Sequence, residues 1–232
     1  LLLTLTCVAS AVAAEWLIIA AAKKTATVGD YSTVVTGMLL AFSLPPSLPL
    51  WMAALGSVFA ITVAKMAFGG LGNNFINPAL AGRAFLMVSY PASMTQWSAP
   101  LPGTIHGMAQ GLDGISAATP LAYFKSAIAS GNYHPIDLQE TLPRMFLGNV
   151  GGCVGATSAA LLIAGALYLW YKRVIGFSTP LTFIGTVFLL SWTCNGTGHF
   201  LTTEALLIPF YQVLAGGLML GALFMATDPV TT

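Results

Sequence analysis

Charge is what this chain has least of: 6% of its 232 residues are Asp, Glu, Lys or Arg, against roughly a quarter in an average soluble domain. That scarcity argues against a surface solvated on all sides. The 56% of hydrophobic residues suits a surface turned to lipid, where every backbone polar group must be satisfied within helices or a closed barrel. A net charge of +1 offers neither a basic patch for nucleic acid nor an acidic tail. Cysteine is also sparse. Cys7, Cys153 and Cys194 form no CxxC pair, which argues against an iron–sulfur cluster or zinc site held by this chain alone. They read as small apolar residues. His106, His134 and His199 lack metal-ligand spacing and read as solvated or locally bonded, so no metal site is expected.

What is present is a series of long apolar runs: 1–22, 31–44, 49–68, 78–94, 145–170, 174–194 and 205–227. Runs of about 17 to 25 residues are the length of spanning helices and exceed a barrel strand. The second is short, and Pro45, Pro46 and Pro49 should fold it with the third into a tight helical hairpin. The chain opens at Leu1, and its first run is too long and too poorly flanked for a signal peptide. A fragment of a longer protein is expected, a single transmembrane domain over 1–232.

Lysine and arginine mark the cytoplasmic side of a membrane protein. Lys23 and Lys24, Lys65 and Arg83, and Lys172 and Arg173 all fall on one side of the expected spans. The opposite side holds the loop 95–144, with only Lys125 and Arg144. That loop is expected outside, in the periplasm or its equivalent. Trp51, Trp97, Trp170 and Trp192 fall near span ends, as an interfacial belt requires.

Two junctions look alike. Asn77-Pro78 begins the fourth span and Asp228-Pro229 follows the seventh, each a helix-cap residue followed by proline at the first helical position. Before Asn77 stands a polar, glycine-rich break, Gly69-Gly70-Leu71-Gly72-Asn73-Asn74, of a kind that survives at membrane depth only in protein or along a cavity. The recurrence suggests an inverted internal repeat with broken helices. Ionisable residues in spans are functional suspects. Glu15 lies well inside the first run, whereas Asp30, Glu204 and Asp228 sit near span ends, where solvation accounts for them. No ion pathway follows from these alone.

The outer loop contains Asp113-Gly114-Ile115-Ser116-Ala117-Ala118-Thr119-Pro120-Leu121-Ala122. Small side chains surround Thr119, and the following proline pushes it toward an extended conformation. Pro120 suits the first turn of a short helix, whose N-terminus would face a phosphate on Thr119 with unpaired N–H groups. Physics alone favours the plainer reading, in which Ser116 and Thr119 merely cap a loop helix.

That motif resembles the flavinylation site of the Rnf D subunits and of the B subunit of the sodium-pumping NADH:quinone oxidoreductase. The resemblance extends to Gly69 through Leu86, to Ala226-Thr227-Asp228-Pro229-Val230-Thr231, and to Gly29-Asp30, Val34-Val35-Thr36-Gly37 and Leu44-Pro45-Pro46. Together these cover nearly the whole chain in order. Two departures stand out: Ala117 occupies the usual glycine position, and Ala156 a place where an acidic residue is expected.

The resemblance implies an all-α, polytopic transmembrane helical bundle, urea-transporter-like with inverted repeats and broken helices, truncated at both ends. It implies FMN on Thr119 through a phosphoester bond made by a flavin transferase, with Ser116 in the motif. By likeness to the sodium-pumping relative, Asn74 and Asn77, with Arg83 nearby, are candidates to hold a non-covalent riboflavin. Physics alone allows Asn77 to cap the fourth span while Asn73 and Asn74 satisfy loop backbone. The function implied is that of an electron-carrying subunit in an inner-membrane complex that passes electrons between ferredoxin and NAD and moves Na+ or H+. The partners implied are the other Rnf subunits, including a second FMN subunit, iron–sulfur subunits and other membrane subunits. The alternatives are the B-type quinone-reductase subunit, a solute channel or transporter without redox cofactor, and a scaffold whose loop docks neighbours.

Overall fold

The computed structural model describes residues 1–22, 28–70, 72–74, 76–97, 135–194, 203–215 and 217–227. Among the described residues every regular element is helical, the outcome expected where a chain must satisfy its own backbone. They fall into two compact bodies, one within residues 1–96 and one within 97–227.

In the first body, α1 (Leu2–Ala22) has 21 residues, about 31 Å at 1.5 Å each, and is long and apolar enough to cross a membrane unaided. Its buried residues Leu3, Cys7, Ala11, Ala14, Glu15 and Ile19 recur every three or four positions and so form one stripe. Small side chains on that stripe let neighbours approach closely. On α2 (Ser32–Phe42), a Cβ added to Gly37 would lie 2.9 Å from the Val8 Cα, so glycine is what permits these two backbones to meet. After the Pro45, Pro46 and Pro49 turn, α3 (Leu50–Phe59) runs on into a π-helical turn, Ala60–Met66. Helix α4 (Pro78–Ser89) packs on α2, α3 and the π turn. There, a Cβ on Gly82 would stand 2.8 Å from the Gly56 carbonyl oxygen. Phe59 and Phe85 stack beside it with ring centroids 4.2 Å apart. A short helix, α5 (Pro91–Met94), follows.

The second body holds α6 (Pro135–Leu147), α7 (Ala159–Tyr171), α8 (Ser178–Cys194), α9 (Thr203–Leu214) and α10 (Leu218–Leu220). The last passes into another π turn, Gly221–Met225. Helix α9 packs against α6 and α8, around a core of Met145, Ile208, Tyr211 and Ala215.

Three expected spans are broken. The run 145–170 is divided: α6 ends at Leu147, Gly148 takes φ 97°, and α7 starts only after Ser158, whose Oγ accepts from the Leu161 N–H. Glycine is the residue that adopts that left-handed conformation at no steric cost. The run 78–94 is interrupted at Tyr90 by Pro91, which begins α5. The run 205–227 is bent by 69° between Leu207–Leu214 and Leu218–Met225. Of the outer loop, 98–134 lies outside the described residues, while its last part belongs to α6.

Candidate functional site

The charged side chains that the apolar runs swallow meet inside the first body. Glu15 and Lys65 are 0% and 2% exposed, and the Lys65 Nζ lies 2.8 Å from the Glu15 Oε1. Glu15 comes from the packed stripe of α1 and Lys65 from the π turn, with the first turn of α2 completing the cluster. Lys65 Nζ donates to Ser32 Oγ at 2.7 Å and to Thr33 Oγ1 at 2.5 Å, so three acceptors match its three protons. The Thr33 hydroxyl in turn donates to Glu15 Oε2. Desolvating two ions costs several kcal/mol each, and attraction offsets this only where such hydrogen bonds complete the pair.

Local sequence explains why these hydroxyls are available. Thr36 and Ser57 donate back to carbonyls of their own helices, Ser32 O and Ala53 O, as buried hydroxyls commonly do. Ser32 and Thr33 occupy the first turn of α2, where the helix has no carbonyl four residues back. Tyr31 before them is left-handed, φ 57°, and turns Asp30 over the helix start. The Asp30 Oδ1 accepts the Ser32 hydroxyl at 2.7 Å and the Ser32 N–H at 3.0 Å. Asp30 is exposed. Burial works to raise its carboxyl pKa, but the two hydrogen bonds from Ser32 and the Lys65 charge outweigh it, and the pKa is lowered.

The glycine–asparagine break is joined to this cluster through the backbone of Lys65. Its carbonyl accepts from the Gly70 N–H at 3.0 Å. With the Asn74 amide turned to the orientation that its neighbours satisfy, its nitrogen donates to the same carbonyl at 3.3 Å and to Gly70 O at 3.2 Å. Gly69 and Gly70 take φ 110° and 95°, which L side chains rarely adopt. Asn77 caps α4: its Oδ1 accepts from the N–H groups of Ala79 at 3.0 Å and Leu80 at 3.4 Å, with Pro78 at the first position. Both asparagines are buried. Arg83, half-buried, follows on the same helix. The structure therefore brings Asn74 and Lys65 to one place and sets Asn77 at the helix start. Ser116 and Thr119 lie outside the described residues, as do His106, His134 and His199. Among the described residues no group of His, Cys, Asp and Glu is arranged to hold a metal.

Lys65 differs from its sequence reading. It is no topology-marking charge at a turn but a buried partner of Glu15. Two opposite charges inside separate apolar runs were the available signal.

Apolar helices that bury an ion pair, one of them broken at a capped glycine–asparagine junction, define a polytopic α-helical membrane protein. The chain belongs to the NQR2, RnfD, RnfE family, whose sequence model matches residues 1–232. It is similar to the D subunit of the proton-translocating ferredoxin:NAD(+) oxidoreductase complex of Clostridium ljungdahlii, 42% identical over 98% of this chain and 66% of that protein. It is also similar to the D subunit of the Na(+)-translocating ferredoxin:NAD(+) oxidoreductase complex of Acetobacterium woodii, 44% identical over 97% of this chain and 64% of that protein. The D subunit of the ion-translocating oxidoreductase complex of Escherichia coli is 36% identical over 96% of this chain and 68% of that protein. The chain thus spans about two-thirds of the length of these relatives.

Proposed function

We propose that this chain is the D-type membrane subunit of an ion-translocating ferredoxin:NAD oxidoreductase complex of the Rnf kind, and that it carries electrons through an FMN esterified to Thr119. The observation that carries the reading is similarity along nearly the whole chain to proteins named as D subunits of such complexes, together with the segment Asp113 to Ala122. FMN supplies the redox chemistry, and the protein supplies position and electrostatics. Thr119 is a tether, not an acid or base in turnover. Ser116 belongs to the motif that a flavin transferase reads, and Ala117, still small, keeps the approach open. The partners are the other subunits, among them a second FMN subunit, iron–sulfur subunits and further membrane subunits. The site of action is the inner membrane, with the Thr119 loop on its outer side and Na+ or H+ as the ion moved. A non-covalent riboflavin near Asn74, Asn77 and Arg83 belongs to the same reading, supported by amide groups suited to an isoalloxazine edge.

The test is turnover of the assembled complex. Ferredoxin-driven NAD reduction should be lost in a Thr119→Ala complex that still assembles with the other subunits. An unchanged rate would favour the scaffold reading, and ion or solute flux without redox activity the transporter reading.

A further inference from the structure

The buried cluster has an outlet to water. From Glu15, hydrogen bonds run without a gap through the Lys65 Nζ at 2.8 Å to the Ser32 Oγ at 2.7 Å and on to the Asp30 Oδ1 at 2.7 Å. One end is fully buried and the other exposed. At each link a donor and an acceptor stand within the reach that proton transfer requires. An ion pair kept only as a pin would end at its direct partners. Here Ser32 accepts a hydrogen bond from Lys65 on one side and donates one to a solvent-facing carboxylate on the other.

We propose that Asp30, Ser32, Lys65 and Glu15 form a proton-transfer line between the aqueous edge of the first body and the buried Glu15 carboxylate. The ammonium of Lys65 breaks an N–H bond as Glu15 Oε1 forms an O–H bond, leaving a neutral amine. The amine lone pair then takes the Ser32 hydroxyl proton, and the Ser32 oxygen regains one from Asp30, which had taken it from a hydronium ion and left water behind. One proton has moved from water to Glu15, and Lys65 is a cation again. Thr33, accepting from Lys65 and donating to Glu15 Oε2, is a positioning residue that holds the two ends in register. The titratable groups of the line are Glu15 of α1, Asp30 before α2 and Lys65 of the π turn. Helices α2 and α3 contribute none, and α4 carries Arg83, half-buried. Ionisable groups at membrane depth are costly to keep, and π turns within helices are frequent at functional sites. The line deepens the ion-translocating part of the proposed function and rests on it for its purpose.

The test follows proton arrival at Glu15 in the full complex containing this chain, by time-resolved infrared spectroscopy after an acid pH jump. The carbonyl band of the newly protonated carboxyl is assigned by its loss in Glu15→Gln, or by its shift in Glu15→Asp if the first variant does not assemble. Ser32→Ala keeps the ion pair but removes the middle hydroxyl. It should slow proton arrival about tenfold or more, because the hop then lacks a partner within hydrogen-bond reach, and Ser32→Thr should restore it. Asp30→Asn, at an exposed position, should slow it as well. Equal rates in wild type and both variants, or no Glu15 band while the complex stays assembled, would overturn the proposal and leave the cluster as a fixed pin. The readout needs neither flavin nor turnover, so failure of attachment at Thr119 would leave it unchanged.

Discussion

The ammonium of Lys65 is held 2.8 Å from the carboxylate of Glu15, a residue fifty positions earlier in the chain, with both side chains out of reach of solvent. Removing one partner leaves an uncompensated buried charge, which costs about 3–5 kcal/mol. Lys65→Met should therefore lower the thermal stability of the detergent-solubilised protein sharply, and the double variant Glu15→Gln/Lys65→Met should recover most of the loss. Equal losses in single and double variants would mean that the charges are not coupled.

Helices α3 and α4 meet through glycine. Gly82→Ala puts a Cβ 2.8 Å from the Gly56 carbonyl oxygen and 3.0 Å from the Ala60 Cβ, both on or beside backbone that cannot yield easily. A loss of about 1–3 kcal/mol is expected, as for overpacked cores. Gly29→Ala, where no atom of the described residues lies within 4 Å of the added Cβ, is the control and should change stability little. Thermal unfolding of the two variants compares them directly.

Asn77 serves α4 as its cap. Replacement by Ala should cost about 1 kcal/mol of stability, while Asp, another strong cap, should retain it. Flavin content measured on the same variants separates the two roles: an amide that also binds riboflavin would lose it in Asn77→Asp despite full stability. Retention of all flavin by a stable Asn77→Asp protein would sink a binding role for that amide.

The lowered pKa of Asp30 has a sign that can be read in solution. Because the folded carboxyl is the stronger acid, its contribution is present above the ordinary carboxylate pKa of about 4 and is lost as pH falls through the folded value. The stability difference between wild type and Asp30→Asn should thus be largest near neutral pH and shrink in acid. A difference that grows in acid would contradict the hydrogen bonding of Asp30 to Ser32.

Much of the first body is legible from apolar runs and punctuation. The run 1–22 matches α1 almost residue for residue, and the three prolines fix where α2 ends and α3 begins. The break inside 145–170 is hidden because Val150, Cys153 and Val154 keep the segment apolar between its glycines, and hydropathy does not see a left-handed φ. Lys65 misleads for a different reason. It stands next to a glycine-rich turn, which looks like a loop edge, and its partner is reached only through tertiary packing. The π turn that carries it leaves no periodic signature in seven residues. Cap chemistry, by contrast, is local, so Asn77-Pro78 can be read as a helix start. Thr119 is singled out by resemblance, since small residues around a threonine before proline specify a conformation and not a cofactor.

Attachment of FMN at Thr119 can be read by peptide mass spectrometry of the protein co-expressed with a flavin transferase, alongside a Thr119→Ala variant. The peptide containing Thr119 should carry the mass of FMN less water, and the variant should carry no flavin and show no in-gel fluorescence after denaturation. An unmodified Thr119 peptide in the presence of active transferase would contradict it.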